Sequence, residues 1–109
     1  TRGDRIRADL VLQLVALACN ISVDDMITQK RRSPLACRAR WLALYLAHVG
    51  FGWPLDRVAF AFGVNRATAG HACRWIEDAR EHRIVDDRLD QLEAVMRDLC
   101  EAPVLAFPA

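Results

Sequence analysis

Apolar residues recur every three to four positions along nearly the whole of this 109-residue chain, and no stretch alternates polar with apolar for long enough to make a strand. That spacing predicts an all-α fold of about six helices. With 53% hydrophobic residues the chain can bury one core, and no apolar run approaches the roughly 18 to 20 residues of a membrane span. The first helix is expected over residues 4–19, with Ile6, Leu10, Leu14 and Leu17 as its buried stripe. Ser22 should cap a short helix, Val23 to Thr28, and Ser33-Pro34 should open a long one that ends at Gly50 with Leu35, Leu42, Leu46 and Val49 inward. Further helices are expected from Leu55 to Phe62, from Asn65 to about Arg80, and from about Asp86 to Cys100, the last burying Leu89, Leu92, Met96 and Leu99. Residues 1–101 then form one domain and residues 102–109 a tail.

The formal net charge of +1 conceals a segregation. Residues 28–75 hold eight cations, Lys30, Arg31, Arg32, Arg38, Arg40, Arg57, Arg66 and Arg74, against the single acid Asp56, a balance of +7. The flanks are acidic, −1 over residues 1–27 and −5 over residues 76–109. A cationic middle between acidic flanks suits a chain that turns one face to a polyanion. The acids of the last helix, Asp86, Asp87, Asp90, Glu93, Asp98 and Glu101, read as a solvated face pointing away from it, or as a surface for a partner such as RNA polymerase or a co-activator.

Catalytic chemistry finds no support. Cys19, Cys37, Cys73 and Cys100 form no short paired knuckle and read as small core residues of a reducing compartment. His48, His71 and His82 lack neighbours at ligand or dyad spacing, and there is no phosphate-cradling glycine loop or nucleophile elbow. No enzyme, cofactor or metal is expected. Trp41, Tyr45, Trp53 and Trp75 read as core rather than as stacking platforms for single strands.

The twenty residues from Leu55 to Arg74 fit a helix-turn-helix. Ala59 is small where two helices must cross, Gly63 sits where the turn needs a positive φ, and Val58, Phe62, Val64, Ala69 and Ala72 are apolar at the remaining inward places. The second helix would then turn Asn65, Arg66, Ala67, Gly70, His71 and Arg74 outward. Asn pairs bidentately with adenine, Arg with guanine, and Ala touches a thymine methyl. Gly70 would allow close approach of a phosphate, His71 and Arg74 would meet phosphates, and Thr68 could bond a base, a phosphate or its own helix carbonyl.

Residues about 15–100 resemble the C-terminal DNA-binding domain of the bacterial replication initiator DnaA. The resemblance is carried by Ile21-Ser22-Val23-Asp24-Asp25-Met26-Ile27, Lys30-Arg31-Arg32-Ser33, Arg38-Ala39-Arg40, Phe62-Gly63, His71-Ala72-Cys73-Arg74 and Ile76-Glu77. It implies an arginine of the basic loop, here Arg32, in the minor groove, and a backbone contact by Arg40. Where that family reads bases with Asp-His-Thr, this chain has Asn65, Arg66 and Ala67 and is one residue shorter, so a different site is expected. The chain resembles the stand-alone DnaA-like activators of alphaproteobacteria, including those of gene transfer agents, rather than an initiator with its ATPase.

The function expected is a sequence-specific double-stranded DNA-binding transcription regulator in the cytoplasm, on the nucleoid. Asn65, Arg66, Ala67 and Thr68 would read bases, Lys30, Arg31 and Arg32 would enter the minor groove or bind phosphates, and Arg38, Arg40 and Arg57 would clamp phosphates. An origin-binding replication-control factor is the alternative of the same chemistry, and a helical protein-interaction module the alternative of another class. Sequence leaves the DNA site and the oligomeric state open.

Overall fold

The computed structural model describes residues 1–28 and 30–109; Gln29, the first residue of the expected basic loop, lies outside them. The chain runs through α1 (Arg2–Cys19), α2 (Val23–Ile27), α3 (Pro34–Gly50), α4 (Leu55–Phe62), α5 (Arg66–Ala79) and α6 (Arg83–Glu101), with no strand among the described residues. Four helix starts follow from one device. Thr1, Ser22, Ser33 and Asn65 each accept, through a side-chain oxygen, a hydrogen bond from the backbone N–H three residues on. Each bond satisfies one of the donors that a helix leaves unpaired at its N-terminus.

Helix α3 organises the molecule. Leu42 to Ala47 are six consecutive buried residues, and a helix that is apolar all round must be enclosed. It packs against all five other helices. On one side Leu42, Tyr45 and Leu46 join Val11, Leu12 and Val15 of α1, Met26 of α2, Ile76 of α5, and Leu89, Leu92 and Met96 of α6. On the other, Leu44 and Ala47 meet Trp53, Val58 and Ala59 of α4, and Ala69 and Ala72 of α5. Burial of each large aliphatic side chain contributes about 1.5–3 kcal/mol, more than any exposed ion pair. At the end of α3, Gly50 leaves room for Met96: a Cβ there would stand 2.6 Å from its Cε.

The joint between α4 and α5 has the expected small residues. Ala59, Ala69 and Ala72 are buried together, and α4 ends at Gly63, whose φ of 67° is left-handed. The Val64 N–H donates back to the Ala59 carbonyl at 3.0 Å, closing the turn before Asn65 caps α5.

Several expected burials are reversed. Ile6, Leu10 and Leu17 lie outside, Leu17 with 82% of its surface exposed, while Ala8, Val11, Leu12 and Val15 face the core. Both stripes of α1 are apolar at helical spacing. The inward one shares its face with Asp4, which accepts from Arg57 of α4. Leu35, Val49 and Leu99 are also exposed, as is Cys100, whereas Cys19 and Cys73 are half-buried and burial raises both thiols above their ordinary value. Helix α6 starts at Arg83, three residues before its expected first turn.

Two ion-pair systems tie the bundle. Arg57 Nε and Nη2 donate to the two oxygens of Asp4 at 2.9 and 2.6 Å, and the guanidinium lies 4.6 Å from the centre of the Trp53 ring. Arg80, at the α5–α6 turn, donates to Asp86 at 2.6 Å, to Glu93 at 3.2 Å, to Asp90, and to the Tyr45 hydroxyl at 3.1 Å. Tyr45 in turn donates to Glu77 at 2.8 Å. Burial, reinforced by Glu77, pushes the Tyr45 phenol up to about 12, so it stays a neutral donor. Burial disfavours charge on Arg80, but its bonds to Asp86, Tyr45 and Glu93 outweigh this and raise it further. Three acids of α6 that sequence assigns to a solvated face are thus turned onto one arginine.

Three outcomes are expected. Gly63→Ala meets no atom within 4 Å but must hold a left-handed backbone, so the protein folds with stability lower by about 1–2 kcal/mol in urea unfolding. Arg80→Ala removes the partner of three carboxylates and lowers stability by about 2 kcal/mol, with faster amide exchange in α6. The Arg57 hydrogen bonds hold Asp4 below the usual carboxylate range, so its contribution is present above the unfolded value of about 3.9 and is lost as pH falls through the folded value. The stability gap between the parent and Asp4→Asn is therefore constant near neutrality and closes below about pH 4, as thermal unfolding across pH will record.

Candidate nucleic-acid interface

Helix α5 packs by Ala69, Gly70, Ala72 and Ile76, with Cys73 and Trp75 half-buried beside them. Asn65, Arg66, Ala67, His71 and Arg74 are exposed and Thr68 is half-exposed, as expected of a reading helix. Gly70 is not on that face. It is buried, and an added Cβ would lie 3.2 Å from Arg74 Nη1 and 3.8 Å from Leu55 Cδ1, so the Arg74 side chain covers the place where close approach of a phosphate is expected.

The cations divide into those with acid partners and those without. Arg57, which sequence assigns to the phosphate clamp, is paired with Asp4, with 48% of its side chain exposed. Arg66 makes one long contact of 3.5 Å with Asp56 across the turn, both side chains about three-quarters exposed. Such a pair contributes at most about 1 kcal/mol and yields readily to a better anion. Lys30, Arg31, Arg32, Arg38, Arg40 and Arg74 have no ion pair among the described residues.

These unpaired cations are positioned all the same. The Lys30 N–H donates to Thr28 Oγ1 at 3.2 Å and Arg32 Nε donates to the Met26 carbonyl at 3.0 Å, which folds the basic loop back on α2 before Ser33 opens α3. Arg40, one turn into α3, lines a groove of about 290 Å³ with Arg5, Asp9, Ile27, Phe62 and Gly63, beside the turn of the helix-turn-helix. Burial, and then the nearby charge of Arg32, pull Arg40 below the ordinary arginine value. An anion at this place relieves that repulsion.

An aromatic bridge joins α3 to the exposed side of α5. The Arg38 guanidinium lies 5.3 Å from the centre of the Trp75 ring, Trp75 is 5.4 Å from Trp41, and Trp41 meets His71 at 5.1 Å, nearly perpendicular. Tyr45 and Trp53 are core as expected, but Trp41 and Trp75 are half-exposed. Arg38 with Trp41, three apart on α3, and His71 with Trp75, four apart on α5, each form a face at helical spacing. Only the docking of α3 on α5 brings the two faces together.

Asn65 departs furthest from its expected role. As the cap of α5 its Oδ1 accepts from the Thr68 N–H at 2.7 Å, so the side chain serves the helix start while its NH₂ and the second lone pair of its oxygen stay available. The arrangement is a helix-turn-helix with an exposed second helix, flanked by six cations without an ion pair among the described residues. No helix among the described residues is long and apolar enough to cross a membrane.

A family model described as bacterial dnaA protein helix-turn-helix matches residues 8–76, from α1 to the buried Ile76 of α5. Comparison with curated proteins returned no match. Among solved structures, one titled crystal structure of a DNA replication initiation factor has a TM-score of 0.77 and 25% identity over 90% of this chain. This chain spans 30% of the length of that one. With more than half of its residues matched and the six-helix fold shared, the chain belongs to the bacterial DnaA helix-turn-helix family.

Proposed function

We propose that the chain is a sequence-specific double-stranded DNA-binding regulator of transcription that acts on the nucleoid in the cytoplasm. The observation that carries this reading is the gathering of cations without acid partners around the exposed face of a helix-turn-helix. Unpaired like charges repel one another in the free protein, and a phosphate backbone removes that repulsion while releasing its own counterions. In this reading α5 enters the major groove, with Arg66, Ala67 and Thr68 at base edges and His71 and Arg74 nearer the phosphates. Lys30, Arg31 and Arg32 enter the adjacent minor groove or grip its phosphates, and Arg38 and Arg40 hold the backbone from α3. Arg57 takes no part.

A second reading, replication control at an origin, is favoured by the likeness to a replication initiation factor. Both readings use the same contacts. Genome-wide occupancy separates them: promoter sites support regulation of transcription, and a peak confined to the origin supports replication control. A co-activator or RNA polymerase would find on α6 the acids not held by Arg80, namely Asp87, Asp98 and Glu101.

Binding to a selected duplex, titrated at several salt concentrations, gives the number of phosphate contacts. Six engaged cations give a slope of log K against log salt of about −5. Arg38→Ala should reduce the steepness by about 1, and Arg57→Ala should leave it unchanged. A flat salt response, or equal affinity for acidic protein and duplex, identifies a protein-interaction module instead.

A further inference from the structure

A protein that puts one element in the major groove and another in the adjacent minor groove must straddle the sugar-phosphate strand that separates them. Something in the protein has to receive that strand. The cleft of about 290 Å³ beside the helix-turn-helix turn reaches both elements: Ile27 borders it just before the basic loop, and Phe62 and Gly63 border it just before Asn65 and the start of α5. Arg40 enters it from α3 and Arg5 from α1.

Sequence leaves Arg5 out of the cationic middle, because it stands in a segment whose acids outnumber its bases. The fold brings it back. Ala8 and Leu12, three and seven residues on, are buried along the cleft, while Arg5 and Asp9, one turn apart, stay exposed at its rim. Ile6 and Leu10 of the outer stripe border a different groove, near the end of α6. Asp4 is taken by Arg57, and neither Arg5 nor Asp9 has an ion pair among the described residues. Arg40 is half-buried and already feels the charge of Arg32. Three arginines therefore bear on a cleft whose rim carries one carboxylate, and an anion is the ligand that relieves their repulsion. We propose that this cleft seats the phosphodiester strand running between the two grooves of the duplex, where Arg5 of α1 grips a phosphate together with Arg40 and Asp9 holds the affinity down. The proposal rests on α5 and the basic loop lying in adjacent grooves, as in the reading above, and adds α1 to the face that meets DNA. A contact of this kind positions the protein and carries no base preference.

The test is a salt titration of the full chain on a selected duplex and on an unrelated one. Arg5→Gln should keep the unfolding midpoint of the parent, bind both duplexes about three- to tenfold more weakly, and make the slope of log K against log salt shallower by about 1. Asp9→Asn should bind both about threefold more tightly. Neutral methylphosphonates placed one at a time along the strand between the two grooves locate the contact: one position should weaken the parent and leave Arg5→Gln unaffected. An Arg5→Gln protein with the parent's affinity and slope, or a scan in which every position costs both proteins alike, overturns the proposal while binding through α5 stands. Inorganic phosphate that raises the unfolding temperature above chloride of equal ionic strength, an effect lost in Arg5→Gln while duplex affinity is kept, marks a free-anion site and also overturns it. A flat salt response of the parent overturns both this contact and the reading on which it rests.

Discussion

Six consecutive residues of α3, Leu42 to Ala47, are buried, four of them completely, and this enclosure sets the position of everything else. The five other helices are arranged around that segment, and the α3 residues before it emerge from the core carrying Arg38 and Arg40. Truncating one large buried side chain here, such as Leu44 or Leu46, would cost about 2–5 kcal/mol, a large share of the 5–15 kcal/mol that holds a typical domain. Arg38 and Arg40 are therefore mounted on the helix that contacts all five others, and α5 packs directly against it.

Charge is arranged by a different rule on each side of that core. In the C-terminal part, acids are drawn inward: Asp86, Asp90 and Glu93 converge on Arg80, which also bonds the hydroxyl of Tyr45 from α3. Asp4 does the same for Arg57 between α1 and α4. These pairs hold helices together. In the middle of the chain Arg57 and Arg66 have acid partners, but Lys30 to Arg32, Arg38, Arg40 and Arg74 have none among the described residues and keep their attraction for an anion. A chain of net charge +1 can in this way present a strongly cationic face.

The helix-turn-helix was legible in sequence because it depends on local requirements. A glycine at φ 67° and alanines at a crossing are demands that a single residue meets or fails. Caps at Ser22, Ser33 and Asn65 are local too, and the helix starts follow them. What sequence could not supply was the choice between equivalent faces. In α1 the stripes Ile6-Leu10-Leu14-Leu17 and Ala8-Val11-Leu12-Val15 have the same period, and docking on α3, with Asp4 meeting Arg57, 53 residues away, is what tells them apart. The same holds for the site. Exposure of Arg66, Ala67, His71 and Arg74 follows from the helical period once Ala69 and Ala72 are inward. The pairing of Arg57 with Asp4 and the bridge from Arg38 through Trp75 and Trp41 to His71 depend on which helices touch. Asn65 is an intermediate case: sequence reads it as a base reader, and the structure adds that it caps α5.

The central claim, that α5 and the unpaired cations around it form one DNA-binding face, is tested most directly by mapping backbone amide shifts of the full chain as a selected duplex is added. The account predicts that signals of Asn65 to Arg74, of Lys30 to Arg32 and of Arg38 to Arg40 move together with one affinity, while those of α6 and of the outer stripe of α1 stay in place. Shifts concentrated on α6 or the tail, with α5 unmoved, would contradict it.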